Sequence, residues 1–315
     1  MLRYVLRRVP SALLVLLLST VPIFAVLRLA PGDPAAIVAG PDAGPAAVAA
    51  IRHGMGLDRP LTDQYFSWLG HALRGDFATS FTSGAPVSEL VLRGLGNTGT
   101  LAVCALLLAV LIAFPLGVAS ALARTGWLRT ALAAFNALML SVPTYVTGVV
   151  LVLVCSTWLR LLPPGGYVSL FSDPVAGAQF LLLPSLCLAM PAAAVLARFL
   201  TASLQRVFHE EHYFASRMRG LSGRRLLLRH ALPNTAGPVV TVLGIQIGQL
   251  LGGAIIVESV FAWPGLGQTM VTAAHARDYP LVQALLLLAV TAFIVLQLLS
   301  DVVYAALDPR VRERT

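Results

Sequence analysis

Between two apolar segments the chain reads Tyr213-Phe214-Ala215-Ser216-Arg217-Met218-Arg219-Gly220-Leu221, then Arg224-Arg225, then His230-Ala231-Leu232-Pro233-Asn234. From His209 to Met218 there is no Pro or Gly, so a short helix can form. Gly220 can take the left-handed conformation that ends it, with Leu221 as a capping contact. Pro233 cannot extend a helix that precedes it but fits the first turn of the next. The polar interlude Arg198–Asn234 thus predicts a short helix, a glycine stop, a basic run and a return to apolar sequence. Two readings fit these residues equally. One is a handle offering Tyr213, Phe214 and Met218 to a partner's groove. The other is a solvated loop that is basic because it faces the cytoplasm.

The flanking composition sets the class. Hydrophobic residues fill 57% of 315 positions, charged residues 11%, and the mean hydropathy is +0.82. A soluble core of this size cannot bury that much apolar surface, whereas a bilayer absorbs it. A net charge of +8 would suggest nucleic acid in a soluble protein; here no nucleic-acid partner is expected, and the position of the charges carries the information. All 22 basic residues are Arg. Without Lys there is no ordinary P-loop and no Schiff-base chemistry, so no ATP or other cofactor is expected on this chain. Cys104, Cys155 and Cys187 lie in separate apolar runs without a CxxC partner and read as small packed hydrophobes.

A membrane span needs about 20 mostly apolar residues. Six stretches qualify: Val9–Leu29, Leu101–Leu122, Ala131–Leu159, Phe180–Leu200, Ala236–Val257 and Leu281–Ala306. The first is too long for a signal-peptide core, and Pro31 opposes cleavage after Ala30, so it reads as a retained helix. The third exceeds the need and either tilts or begins as an interfacial helix. With a cytoplasmic N-terminus, fifteen arginines fall on inner segments and seven on outer ones. That bias places both termini and the Arg198–Asn234 interlude inside. The predicted fold is an all-α polytopic bundle of six transmembrane helices. Its parts are the N-terminus and first span (1–30), an extracytoplasmic segment (31–96), a five-helix core (97–306) with a cytoplasmic loop at about 201–235, and a cytoplasmic tail (307–315).

Prolines 10, 22, 115, 143, 184 and 191 fall within these spans, where neighbouring helices can satisfy the freed carbonyls. In the outer segment, Leu61, Tyr65, Trp68, Leu69 and Leu73 recur at helical spacing and predict one short amphipathic helix. In the fifth span, Gly244, Gly248 and Gly252 recur every four residues, a pattern that permits close helix approach. Gln246, Gln249 and Gly253 lie on roughly the opposite face. The expectation is that the glycine face packs. The glutamine face either lines a cargo path or holds the bundle by interhelical hydrogen bonds. Asn136 and Thr144 join Gln246 and Gln249 as candidate path residues. Glu258 and Asp301, near span ends, are expected to be interfacial and solvated. The spacing of His209-Glu210-Glu211-His212 departs from H-E-x-x-H, and no metal site is expected.

The run Ala215-Ser216-xxx-Gly220 followed by His230-Ala231-Leu232-Pro233 resembles the EAA loop of ABC importer permeases, with Phe214 where that pattern has Glu and Ser216 where it has Ala. Further pieces extend the resemblance over nearly the whole chain. They include Pro31-Gly32-Asp33-Pro34, Gly75-Asp76-Phe77, Asn97-Thr98, Ser141-Val142-Pro143, Glu258 through Gly267, Arg277-Asp278-Tyr279-Pro280 and Leu307-Asp308-Pro309-Arg310. In this order they are similar to the first permease subunit of dipeptide/oligopeptide importers.

That resemblance implies a type I, MetI-like permease fold and no catalysis by the chain itself. It implies a second homologous permease, two ATP-binding subunits carrying ATP and Mg, and an extracytoplasmic substrate-binding protein. It assigns Tyr213–Leu221 to ATPase coupling. Arg217, Arg219, Arg224 and Arg225 would anchor to anionic lipid or to the ATPase. The same architecture importing nickel or glutathione is the alternative. A secondary transporter would call for an inverted repeat and for acids deep in the bundle.

Overall fold

The structure is a computed structural model that describes residues 2–29, 33–40, 42–218 and 220–307. Among them helices dominate; extended pairing is limited to one isolated bridge between Thr79 and Pro86. Two compact units form, Met1–Asn97 with Gly265–Val302, and Thr98–Pro264.

In the first unit, α1 (Leu2–Leu29) carries the first apolar stretch, with Pro10 and Pro22 inside it. Three short helices follow: α2 (Pro34–Ala39), α3 (Pro45–Gly54) and α4 (Leu61–Leu73). The sequence predicted only α4. Asp33 builds α2 by accepting the Ala35 N–H as N-cap, with Pro34 in the first turn. Asp33 also pairs with Arg52 of α3 at 2.6 Å, and this holds its carboxyl below the ordinary value of 3.8. Helix α4 docks on α1 through Tyr65 and Trp68, whose rings lie 5.5 and 5.9 Å from Phe24. The Tyr65 hydroxyl meets Thr20 Oγ1 at 2.7 Å. Leu61 and Leu73, counted in the amphipathic face, are exposed. The unit closes with α12 (Leu266–His275) and the start of α13 (Tyr279–Leu307).

Helix α5 (Val87–Leu122) begins in the first unit and from Thr98 onward carries the second apolar stretch in the second unit. The third divides. Helix α6 (Gly126–Ser141) stops, and α7 (Thr144–Leu151, continuing as π-helix through Val152–Trp158) leaves at 103°. Val142 is extended, as a residue before proline prefers, and Pro143 caps the new helix. The prolines at 115, 184 and 191 are instead carried inside α5 and α8.

Helix α8 (Pro174–Phe208) is the axis of the second unit. It contacts α6, α7 and α11. Its buried face is rich in alanine, at 189, 192, 193, 194 and 197, which lets neighbours come close. At Gly117 of α5 an added Cβ would lie 3.1 Å from the Ala197 carbonyl oxygen and 2.9 Å from Leu200. After α9 (Glu211–Met218) and α10 (Gly223–Leu226), a π-helical turn (Leu227–Ala231) leads into α11 (Leu232–Val260). Pro233 sits in the first turn of α11, where it offers no N–H to the carbonyl one turn back.

Three described segments are long and apolar enough to cross a membrane: Val87–Leu122, Pro174–Phe208 and Gly223–Val260. The bent pair α6–α7 makes a fourth if counted as one span. Pro10–Val26 and Tyr279–Val295 are shorter apolar stretches.

Candidate functional site

The interlude that opens the sequence forms a distinct small element. Helix α8 continues to Phe208, so the interlude from about 201 opens as helix. The chain then turns at His209–Glu210, and α9 begins with Tyr213 and Phe214 N–H groups bonded to the Glu210 carbonyl. Gly220 has φ +76°, the left-handed geometry that a side chain resists. The side chains divide. Tyr213 turns inward, its ring 5.1 Å from Phe208, against a cluster of Leu200, Leu204, Val207 and Ala231. Phe214 and Met218 point away, 62% and 74% exposed. Ser216 and Leu221 are half-buried. The side chains of Ala215 and Arg217, and all of Arg219, lie outside the described residues. Of the three side chains expected to face a partner, Tyr213 instead anchors the helix to its own chain. Among the described residues no group of His, Cys, Asp and Glu is placed to hold a metal ion.

The faces of α11 reverse one expectation. Val242, Gln246, Leu250, Ala254 and Val257 are buried and trace a single stripe at i+4 and i+3 spacing. Gly253, beside that stripe, lies 3.1 Å from Leu188 at its Cβ position. A Cβ on Gly244, Gly248 or Gly252 would meet nothing within 4 Å. The glycine face is therefore open, and the packed face is the one carrying Gln246. The cause is that apolar bulk, present on the Gln246 side, drives packing within one chain. Gln249 is exposed and shares the open side with Thr241 and Ser259. Asn136 is buried and donates from Nδ2 to the Ala194 carbonyl at 3.1 Å. Thr144 is half-buried, and its carbonyl accepts from Cys187 Sγ at 3.2 Å. Asn136 and Thr144 thus both meet helix α8, at Ala194 and Cys187, while of the two glutamines Gln246 is buried and Gln249 exposed.

Glu258 also departs from expectation. It is fully buried and accepts a hydrogen bond from Thr98 Oγ1 at 2.6 Å. The reason is the turn that follows. Trp263 N–H bonds back to the Glu258 carbonyl, and Trp263 packs edge-on against Tyr167 at 4.9 Å. Gly166 N–H donates to the Phe261 carbonyl at 2.8 Å, and the Phe261 oxygen would lie 2.6 Å from a Cβ on Gly165. The loop carrying Gly165 and Gly166 thus folds over the end of α11. The Asp301 side chain lies outside the described residues.

In the other unit, Asp278 is fully buried. Its carboxylate accepts from the Ser80 and Thr82 hydroxyls and from the Phe81 and Thr82 N–H groups. The start of α13 thereby clasps the loop around the Thr79–Pro86 bridge. Sequence reading noted Glu258 and Asp278 within motifs but gave neither a partner; an acid beside a long apolar run was the available signal.

These features define a polytopic helical membrane protein with a short surface helix between two long spans, and without a catalytic constellation that the sequence or the described site supplies. The chain belongs to the family described as binding-protein-dependent transport system inner membrane component, matched over residues 113–313, with that family's N-terminal membrane-component model matched over 1–89. Its relatives include a probable peptide ABC transporter permease of Sinorhizobium fredii, 38% identical over 98% of this chain and 99% of the relative. The glutathione transport system permease of Salmonella typhi is 39% identical over 99% of each chain. Among solved structures, the inward-facing MetNI methionine ABC transporter matches with a TM-score of 0.57 at 20% identity, over 70% of this chain and 96% of that one. An amino acid ABC transporter matches with a TM-score of 0.51 at 16% identity, over 72% and 94%. The fold is thus that of a MetI-like importer permease, and the chain is a non-catalytic inner-membrane component of an ABC importer.

Proposed function

We propose that this permease carries di- or oligopeptides inward and that α9 is the lever through which separate ATP-binding subunits drive it. The observation that carries the lever is the division of α9: Tyr213 fastens it to α8 while Phe214 and Met218 stand in the open. A docking helix must be rigidly joined to its own bundle and must still offer apolar side chains to a groove. The complex contains a second homologous permease, two ATPase subunits holding ATP and Mg, and an extracytoplasmic binding protein. The chain crosses the membrane six times, with the α6–α7 pair as one bent span and both termini inside. This follows from the six apolar stretches and the arginine bias. The open face of α11, bearing Gly244, Gly248 and Gln249, meets the second permease or the cargo path.

Phe214→Ala with Met218→Ala tests the lever. Both side chains are exposed, so the bundle should still fold, while ATP-driven uptake of a labelled dipeptide into proteoliposomes should fall at least about tenfold, as when a central apolar anchor worth more than ~1.4 kcal/mol is lost. Unchanged uptake would reject it. Glutathione is the second reading, favoured by the 39% identical relative of that name; competition between unlabelled glutathione and dialanine for uptake separates the two.

A further inference from the structure

We propose that the cleft between α6 and α8 in the second unit binds the phosphodiester headgroup of an anionic lipid, held by Arg129 and Arg198. The cleft has a volume of about 510 Å³ and is lined by Ser120, Arg129, Asn136, Arg198, Thr201 and Gln205 together with small apolar side chains. Its lining includes no Asp or Glu. Among the described residues neither arginine enters an ion pair. Two of the four neutral polar side chains of the lining are already engaged. Asn136 Nδ2 donates to the Ala194 carbonyl, and the Thr201 hydroxyl reaches the Ala197 and Gly117 carbonyls at 2.7 and 3.1 Å. The two positive forks line a roomy concavity together with the Ser120 hydroxyl and the Gln205 amide, an arrangement suited to a tetrahedral anion with several oxygens.

The surroundings favour a lipid over a soluble phosphate. Leu140, exposed, lies three and four residues beyond Ala137 and Asn136 and so continues the cleft face of α6. Phe199, half-exposed, follows Arg198 on α8. The opposite face of α6 exposes Trp127, Phe135 and Leu138, an apolar surface with a tryptophan at its start, as at a membrane interface. A charged pocket that runs into an apolar lane between two spans matches an amphiphile, and basic pockets between membrane helices bind such headgroups. These arginines are distinct from Arg224 and Arg225 beyond α9, and the inference stands independently of the coupling reading.

The test uses the assembled transporter, delipidated and titrated with phosphatidylglycerol or phosphatidylcholine, with bound lipid counted by native mass spectrometry. Arg129→Gln with Arg198→Gln should weaken the tightest phosphatidylglycerol by about 30-fold, roughly fivefold for each arginine. It should leave phosphatidylcholine unchanged. Arg129→Lys with Arg198→Lys should restore part of the affinity, because charge is kept and only the fork is lost. Millimolar inorganic phosphate should fail to displace the lipid; displacement would assign the site to soluble phosphate and overturn the lipid reading. Equal phosphatidylglycerol affinity in the Gln variant and the parent, with the complex intact, overturns the site. So does an equal loss from Arg224→Gln with Arg225→Gln, which would mark diffuse charge rather than a pocket.

Discussion

Thr98 and Glu258 meet across 160 positions of sequence, and their bond sets a strong constraint at the scale of single residues. A hydrogen bond to a buried carboxylate contributes about 1.5–3 kcal/mol, and losing the donor leaves that group short of a partner. Thr98→Val keeps the shape and removes the donor. It should lower the unfolding free energy of the purified transporter by that amount, read from the shift in its unfolding midpoint, whereas Ser259→Ala, an exposed hydroxyl bonded within its own helix, should cost less than about 0.5 kcal/mol. Equal effects would show that the Thr98 bond is not special. The sequence displayed Glu258 as an acid near the end of an apolar run and nothing more. Its burial depends on the Trp263 turn and on a helix far away in the chain, and periodicity reports on neither. Asp278 illustrates the same limit, since its four donors come from Ser80 to Thr82. Gly220 was legible because a left-handed stop is a local property.

At the scale of elements, position decides what a glycine or a proline does. Gly165 and Gly244 look alike in sequence. A methyl group on Gly165 would strike the Phe261 carbonyl at 2.6 Å, while one on Gly244 meets open space. Gly165→Ala should therefore destabilise the chain by about 1–3 kcal/mol or more. Gly244→Ala should leave it as stable or gain up to about 1 kcal/mol of helix propensity, and any loss should show only in co-purification with the second permease that we propose. Thermal unfolding of the two variants side by side checks this. Likewise Pro143 breaks a helix that Pro115 and Pro184 do not break. Composition allowed six apolar stretches to be counted, but the 103° bend at Val142–Pro143 needed the neighbours of α6 and α7.

The α2–α3 link gives a prediction in pH. The folded pKa of Asp33 is depressed by Arg52, so its contribution is full above the unfolded value near 3.8 and is lost as pH falls through the lower folded value. Asp33 is largely solvent-screened, so the effect is small. Amide exchange at Ala35 and Ala36, corrected for intrinsic rate, should be unchanged from pH 7 to 5 and should quicken only below pH about 4. Quickening already at pH 6 would rule out the Asp33 cap as the cause.

At the scale of the whole molecule, the chain has apolar spans, a loop clasped by Asp278 and, in the proposed function, a small lever, and its sequence holds no Lys for a P-loop. The motifs ordered along the sequence made the importer class readable before any geometry, because they recur at separations that few other chains share. The division of labour within α9 was not readable: Tyr213, Phe214 and Met218 are all large and apolar, and only the position of Phe208 decides which one turns inward. The most direct test places a photoreactive phenylalanine at Phe214 or Met218 in the assembled transporter, with Phe171, 98% exposed and on the outer side in the proposed topology, as the control. The account predicts adducts with the ATP-binding subunit from 214 and 218 and none from 171. Absence of adducts from both α9 positions in an intact, transporting complex, or equal capture from 171, would contradict it.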